Sequence, residues 1–191
     1  DIDAVIANAH GITYSNNLLV ALAERGVGLV LCGANHRPAA WLWPAEGHHA
    51  QSARMAAQLD ATRPLAKRLW KIIVQAKIAN QGAALGAIRK PADGFRLLAA
   101  KVKSGDPDNV EAQAARRYWP LMMGGDFRRN VKSPGANSML NYAYTILRAG
   151  TARAVIAAGL HPALGIHHRG PHDTFTLVDD LMEPFRPMAD L

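Results

Sequence analysis

The stretch LAKRLWKIIVQA, residues 65–76, decides the class of this chain. Leu65, Leu69, Ile72, Ile73 and Ala76 recur at intervals of three and four, which places them on one stripe of an α-helix. Pro64 stands where a first helical turn would lie, a position that needs no backbone N–H. Lys67, Arg68, Lys71 and Lys77 fall largely off the stripe, so the helix is expected to show a basic face to solvent.

Downstream of this run the pattern stays helical. Gly82, Gly86 and the PADG turn at 91–94 are expected to break it, and a short helix follows to about Lys103. The turn SGDPDN, residues 104–109, delivers an Asp or Asn N-cap to the helix that contains DNVEAQAARRYW. A basic loop, GGDFRRNVKSPGAN, covers 124–137. From Asn137 to about Ala158 the spacing predicts a central buried helix with Leu140, Ala143, Ile146 and Leu147 on one face.

Upstream, the stretch from His48 to Thr62 is also helical, whereas residues 1–47 mix the two types. Ile2–Ala7, Val27–Cys32 and Arg37–Trp43 read as strands, and a short helix over Asn16–Arg25 ends at Gly26. Pro44 and Gly47 mark a boundary. The fold class is therefore α+β: a mostly α-helical domain over 48–191, preceded at 1–47 by the C-terminal part of a small β-rich lobe. The chain begins inside a strand and stops directly after a helical segment. The first strands of the lobe and a C-terminal tail are expected to lie outside it.

Charge is unevenly spread over the 191 residues, whose net charge is +7. Between 51 and 105, eleven Lys or Arg face two acids, while the rest of the chain is close to balance. A basic block of this kind attracts a polyanion such as nucleic acid, or is simply a solvated face. Cys32 is the single cysteine, so no internal disulfide is possible, and its apolar neighbours suit a buried thiol. Without a long uncharged apolar run or a charged-then-apolar leader, the chain is expected to be cytoplasmic, with no membrane partner. No phosphate-cradling glycine loop, dinucleotide fingerprint, HExxH or GxSxG is present, which leaves nucleotide hydrolysis, hydride transfer and serine acyl chemistry unsupported.

Three distant groups of charge carry the chemistry. Glu111 opens a helix among alanines, where a carboxylate is costly unless paired or metal-bound. Arg116 and Arg117 follow one turn later, able to clamp phosphate or hold the carboxylate. His167 and His168 close GLHPALGIHH, and either ring could face the site. Asp179, Asp180 and Glu183 sit in DDLMEPFRP. In a helix Asp180 and Glu183 share a face and Asp179 is rotated away; a metal, or Arg186, would offset their repulsion. Carboxylates with one imidazole suit Mg²⁺ or Mn²⁺ acting on phosphate. Asn141 and Tyr142 are candidates for supporting hydrogen bonds or for interior packing. His48 and His49 read as surface residues.

The stretches GDPDNVEAQAARRYW, NSMLNYAYTILRAG, GLHPALGIHH and DDLMEPFRP, with WPAEGHH at 43–49, resemble the CRISPR-associated integrase, the first of the two universal spacer-acquisition proteins, in its type II version. The likeness runs over essentially the whole chain. It implies a metal-dependent DNA integrase and endonuclease that joins prespacer 3′-OH ends to the CRISPR repeat by transesterification. It also implies a homodimer, double-stranded DNA as substrate, and a small ferredoxin-like second adaptation protein as partner. Carried over by motif, the ligands to Mg²⁺ or Mn²⁺ are Glu111, His168 and Glu183, with Asp180 as the accompanying catalytic acid; this selects His168 over His167. The expected DNA contacts are Arg116, Arg117, Lys67, Arg68, Lys71, Arg128, Arg129 and Lys132. A non-catalytic DNA-binding or scaffolding subunit is the competing reading. A small-molecule metal phosphatase is a further one, which would not need the basic block.

Overall fold

A computed structural model describes residues 2–9, 11–33, 38–45, 47–168 and 174–191. The apolar segments at the start form strands as the sequence predicts. Strand β1 (Ala4–Ala7) lies parallel to β2 (Gly28–Cys32), with Val5 opposite Leu29 and Ile6 opposite Val30. A parallel pair needs a crossover, and helix α1 (Asn16–Glu24) supplies it. Ser15 caps α1 by accepting from the Leu18 N–H, and Gly26 at φ +67° lets the chain turn back into β2. Strand β3 (Pro38–Leu42) runs antiparallel to β2, with an irregularity at Leu31/Cys32. Pro38 is its first residue, a strand position that tolerates a missing N–H. The expected strand start at Arg37, and Glu46 beyond it, lie outside the described residues. Cys32 is only half-buried at the end of β2, not enclosed as expected, and burial still raises its thiol pKa.

The helical part comprises α2 (Gln51–Leu59), α3 (Arg63–Ala87), α4 (Phe95–Lys101), α5 (Val110–Met123), α6 (Ala136–Ala157), α7 (Thr176–Met182), a 3₁₀ turn (Glu183–Phe185) and α8 (Arg186–Ala189). Two expectations for α3 are corrected. Its buried stripe is Ala66, Trp70, Ile73, Val74, Ile78 and Leu85, whereas Leu65, Leu69 and Ile72 are exposed. The helix is turned by one residue, about 100°, because Trp70, with the largest apolar surface in the run, faces the core. Nor do Gly82 and Gly86 break it: α3 runs through both. A Cβ on Gly82 would lie 3.0 Å from Phe95 Cβ, so the glycine admits α4 against α3.

The main core gathers Trp70, Val74, Ile78, Phe95 and Tyr118 between α3, α4 and α5. A second cluster packs Ala152, Val155, Phe175 and Val178 against Trp41 of β3, which fastens the small sheet onto α6 and α7. Arg153 adds to this join by donating to Gly26 O and pairing with Asp3. On α6, Leu140 is buried and Leu147 half-buried as expected, but Ile146 is 46% exposed and Tyr144 takes the inward position. Among the described residues no helix is long and apolar enough to cross a membrane.

Candidate active site

Glu111 is held by the turn before α5. Asp106 Oδ1 and Oδ2 accept from the backbone N–H groups of Val110 and Glu111 at 2.9 and 3.0 Å. Asn109 caps the same helix by accepting from Ala112 N–H. Glu111 is thereby fixed in the first turn and turned toward α3.

The second carboxylate comes from the far end of the chain. Proline at 184 tightens the end of α7 into the 3₁₀ turn that begins at Glu183, which is only 4% exposed. Asn80 of α3 donates to Pro184 O at 2.7 Å and so ties this turn to the same helix. Arg186 Nε lies 3.1 Å from Glu183 Oε1, an ion pair the sequence offered as the alternative to a metal.

Asp180, one turn earlier, has another role. It is fully buried, and its Oδ2 accepts from the backbone N–H groups of Ile166 and His167 at 2.6 and 2.8 Å. Its Oδ1 accepts from His168 N–H at 3.1 Å and lies 2.6 Å from His168 Nδ1. Four contacts occupy both oxygens, so this carboxylate orients the histidine loop and is not free for a metal. Engagement of Nδ1 leaves Nε2 as the ring nitrogen not held by Asp180, an arrangement common at metal-bound histidines. The Asp180 hydrogen bond acts against the effect of burial. Together with the charges of Asp180, Glu183 and Glu111, it raises the His168 pKa above the usual imidazole value. His167 instead stacks face to face on Trp70, 4.0 Å between ring centroids, so packing accounts for it. Asp179 points away as expected and receives two hydrogen bonds of 2.7 Å from Arg148.

Lys77 joins the two glutamates. Its Nζ is 2.5 Å from Glu111 Oε1 and 2.5 Å from Glu183 Oε2. The Glu183 contact is ionic only, since that buried oxygen accepts no aligned hydrogen bond. Among the described residues, no three His, Cys, Asp or Glu side chains stand grouped closely enough to hold a metal ion as they are. The donors nevertheless suit Mg²⁺ or Mn²⁺: two carboxylate oxygens already share one cation, one of them lacks a hydrogen bond, and their charges reach the His168 ring. The sequence stripe puts Lys77 on the solvent face because it is misplaced by one residue. The spacing of seven between Trp70 and Lys77 is the signal that could have found it.

The expected DNA contacts divide into two groups. Lys67, Arg68, Arg116 and Lys132 are exposed and Lys71 half-buried. Arg117, although exposed, donates to Asp93 O and lies over the Phe95 ring, and half-buried Arg129 donates to Asn137 and Asn141 and lies over Tyr144. Arg128 donates to Gly125 O and Phe127 O. Asn141 is a clamp for the 124–135 loop, donating to Val131 O, and Tyr142 is exposed; neither meets the glutamates. Tyr118 and Tyr144, which carry no motif signal in the sequence, both donate to buried Asp190. His48 and His49 stack on each other, and His48 Nδ1 accepts from Ala50 N–H.

A small sheet precedes a mostly helical domain, and Glu111 and Glu183 meet on Lys77 of the long basic helix α3. The family model described as CRISPR associated protein Cas1 matches residues 1–191, and the chain belongs to that family. It is 40% identical over 198 residues to the CRISPR-associated endonuclease Cas1 of Neisseria meningitidis serogroup C (strain 8013), covering 100% of this chain and 63% of that protein. Among solved structures it is similar to a casposase bound to integration product, with a TM-score of 0.82, 23% identity, and coverage of 100% of this chain and 59% of that one. It is also similar to a chain of a partial Cas6-RT-Cas1–Cas2 complex, with a TM-score of 0.64, 21% identity, and coverage of 98% and 63%. These likenesses show the fold: a small β lobe followed by a mostly α-helical domain. The chain spans less than two thirds of the length of the Neisseria relative.

Proposed function

We propose that this is a divalent-metal-dependent DNA integrase and endonuclease of CRISPR adaptation, of the type II version, joining prespacer 3′-OH ends to the CRISPR repeat by transesterification. One observation carries the reading furthest: Glu111 and Glu183, 72 positions apart, converge on a single cation, and their charges act on a histidine oriented by Asp180. Glu111, His168 and Glu183 would hold the Mg²⁺ or Mn²⁺, which when bound offsets negative charge on the scissile phosphate and helps to ionise the attacking hydroxyl. Asp180 keeps Nδ1 of His168 engaged and so presents Nε2. Asp106 fixes the direction of Glu111 through the first turn of α5. Arg186 balances the charge of Glu183.

Residues 1–47 are read as the C-terminal part of the N-terminal β-rich lobe, and 48–191 as the helical catalytic domain. Of the expected DNA contacts, Lys67, Arg68, Arg116, Arg117, Arg128 and Lys132 are exposed and Lys71 half-buried, so their charge is available to backbone phosphate. Double-stranded DNA as substrate and a small second adaptation protein as partner rest on the family resemblance; similar solved structures are a casposase bound to integration product and a partial Cas6-RT-Cas1–Cas2 complex. A homodimer and a cytoplasmic location complete the proposal, resting on the family resemblance.

The second reading, a non-catalytic DNA-binding or scaffolding subunit, is favoured by the way Lys77 closes the site. Incubating the intact protein with linear and branched DNA and Mn²⁺ separates the two. Glu111→Ala and His168→Ala should each abolish strand transfer and cleavage while duplex affinity stays within about threefold, because phosphate contacts supply most of the affinity. Near-full integration by either variant would remove that ligand from the site.

A further inference from the structure

The contact that closes the site also suggests how it opens. Lys77 projects from the buried face of α3, between Val74 and Ile78, and its side chain is only 13% exposed. Its ammonium is not paired with one acid in the ordinary way. It stands between Glu111 and Glu183, 2.5 Å from each, and so fills the place where the two carboxylates could share a divalent ion. Glu183 is almost wholly buried, and two nearby carboxylates in such a place repel strongly unless a cation lies between them.

A second observation shows where the ammonium can go. Gln81 lies one turn beyond Lys77 on the same face of α3 and is 3% exposed; its Oε1 is buried without a hydrogen-bond partner. Lys77 and Gln81 both line a cavity of about 100 Å³ that extends toward Tyr144 and Asp190. A buried acceptor left unpaired is costly. The four-carbon lysine stem is long and flexible enough to turn from one site to the other.

We infer that Lys77 is the resident counter-cation of the metal site: it holds Glu111 and Glu183 together in the metal-free protein, and a divalent cation binds by displacing it toward Gln81. This inference rests on the metal site of the proposed function and adds a competitor to it. Metal binding is then an exchange of one cation for another. The protein avoids leaving buried Glu183 and half-buried Glu111 without a cation at any stage.

Mn²⁺ alone, added to the intact protein at pH 8 with no DNA, provides the test, read by calorimetric titration and by thermal denaturation in chelator and in excess Mn²⁺. Lys77→Met should bind Mn²⁺ at least about tenfold more tightly than the wild type. It should also melt lower in chelator and recover most of that loss with Mn²⁺. Lys77→Arg, which keeps the charge, should bind no more tightly than the wild type. If the wild type binds Mn²⁺ and Lys77→Met binds it equally or more weakly, the counter-cation role is wrong and the metal site stands. Equal tightening in Lys77→Arg would also overturn the role, since charge would not be the cause. If Lys77→Met folds in neither condition, the ion cannot take the ammonium's place and the exchange fails. Absence of Mn²⁺ binding to every variant, wild type included, would overturn the metal site itself and the inference with it.

Discussion

Asp180 holds four contacts on two oxygens inside the protein, and an isosteric amide cannot reproduce them because its NH₂ group would face N–H donors. Asp180→Asn should therefore cost about 2–4 kcal/mol of stability. At this chain length that corresponds to a fall in Tm of roughly 5–15 °C. It should also weaken Mn²⁺ binding by about 10–100-fold, the usual effect of removing the group that orients a ligating histidine. Thermal denaturation and Mn²⁺ titration give both numbers, and unchanged Mn²⁺ affinity would show that His168 does not depend on Asp180. The direction is opposite to that expected for Lys77→Met, so the two variants separate a residue that builds the site from one that guards it. The sequence shows that Asp180 and Glu183 are unusual in so apolar a segment. It cannot show that one serves a loop twelve to fourteen residues upstream while the other serves α3 and α5.

At the level of elements, the loop that carries His168 depends on one glycine. A Cβ on Gly165 would lie 2.6 Å from His168 O and 2.7 Å from Thr176 Cβ, and Thr176 is itself held by its bond to Ala163 O. Gly165→Ala should push the 166–168 segment off Asp180, with a stability cost of about 1–3 kcal/mol. Strand transfer should fall further than that loss explains, although no charged group is removed. Retained activity in a normally folded Gly165→Ala protein would show that the histidine loop tolerates displacement. Element type was legible: β1, α1, β2 and α6 fall close to where periodicity, caps and turn residues put them, whereas α3 runs on through the glycines expected to break it. The facing of α3 was not. Leu65, Leu69 and Ile72 make a stripe as regular as the one used, and only the partners of Trp70 decide between two faces about 100° apart.

For the whole molecule, the basic excess between 51 and 105 is divided by the fold. Lys77 goes inside, while Lys67, Arg68 and Lys71 remain on the part of α3 nearer its start. Neutralising Lys67, Arg68 and Lys71 together should weaken binding of unrelated duplexes about equally. It should also lower the slope of log K against log salt by up to ~0.9 for each DNA phosphate that loses its cationic partner. Long cationic side chains on an exposed helix can meet backbone phosphate but have no fixed geometry for reading base edges. Measuring affinity at several salt concentrations checks this. An unchanged slope would move the DNA track to Arg116, Arg128 and Lys132.

The sequence by itself determined the α+β class, the order of elements, the basic block and the identity of the motifs at 105–119, 159–168 and 179–187. Each depends on local spacing, caps or residue type, which the chain carries wherever it folds. Only the tertiary structure decided which face of α3 is buried, that Asp180 orients and Glu183 meets a cation, that Arg117 and Arg129 bond to groups of the protein itself, and that Lys77 bridges Glu111 to Glu183. Those outcomes depend on residues up to 106 positions apart being packed together, and on buried charges having to find partners among whatever the packing brings near.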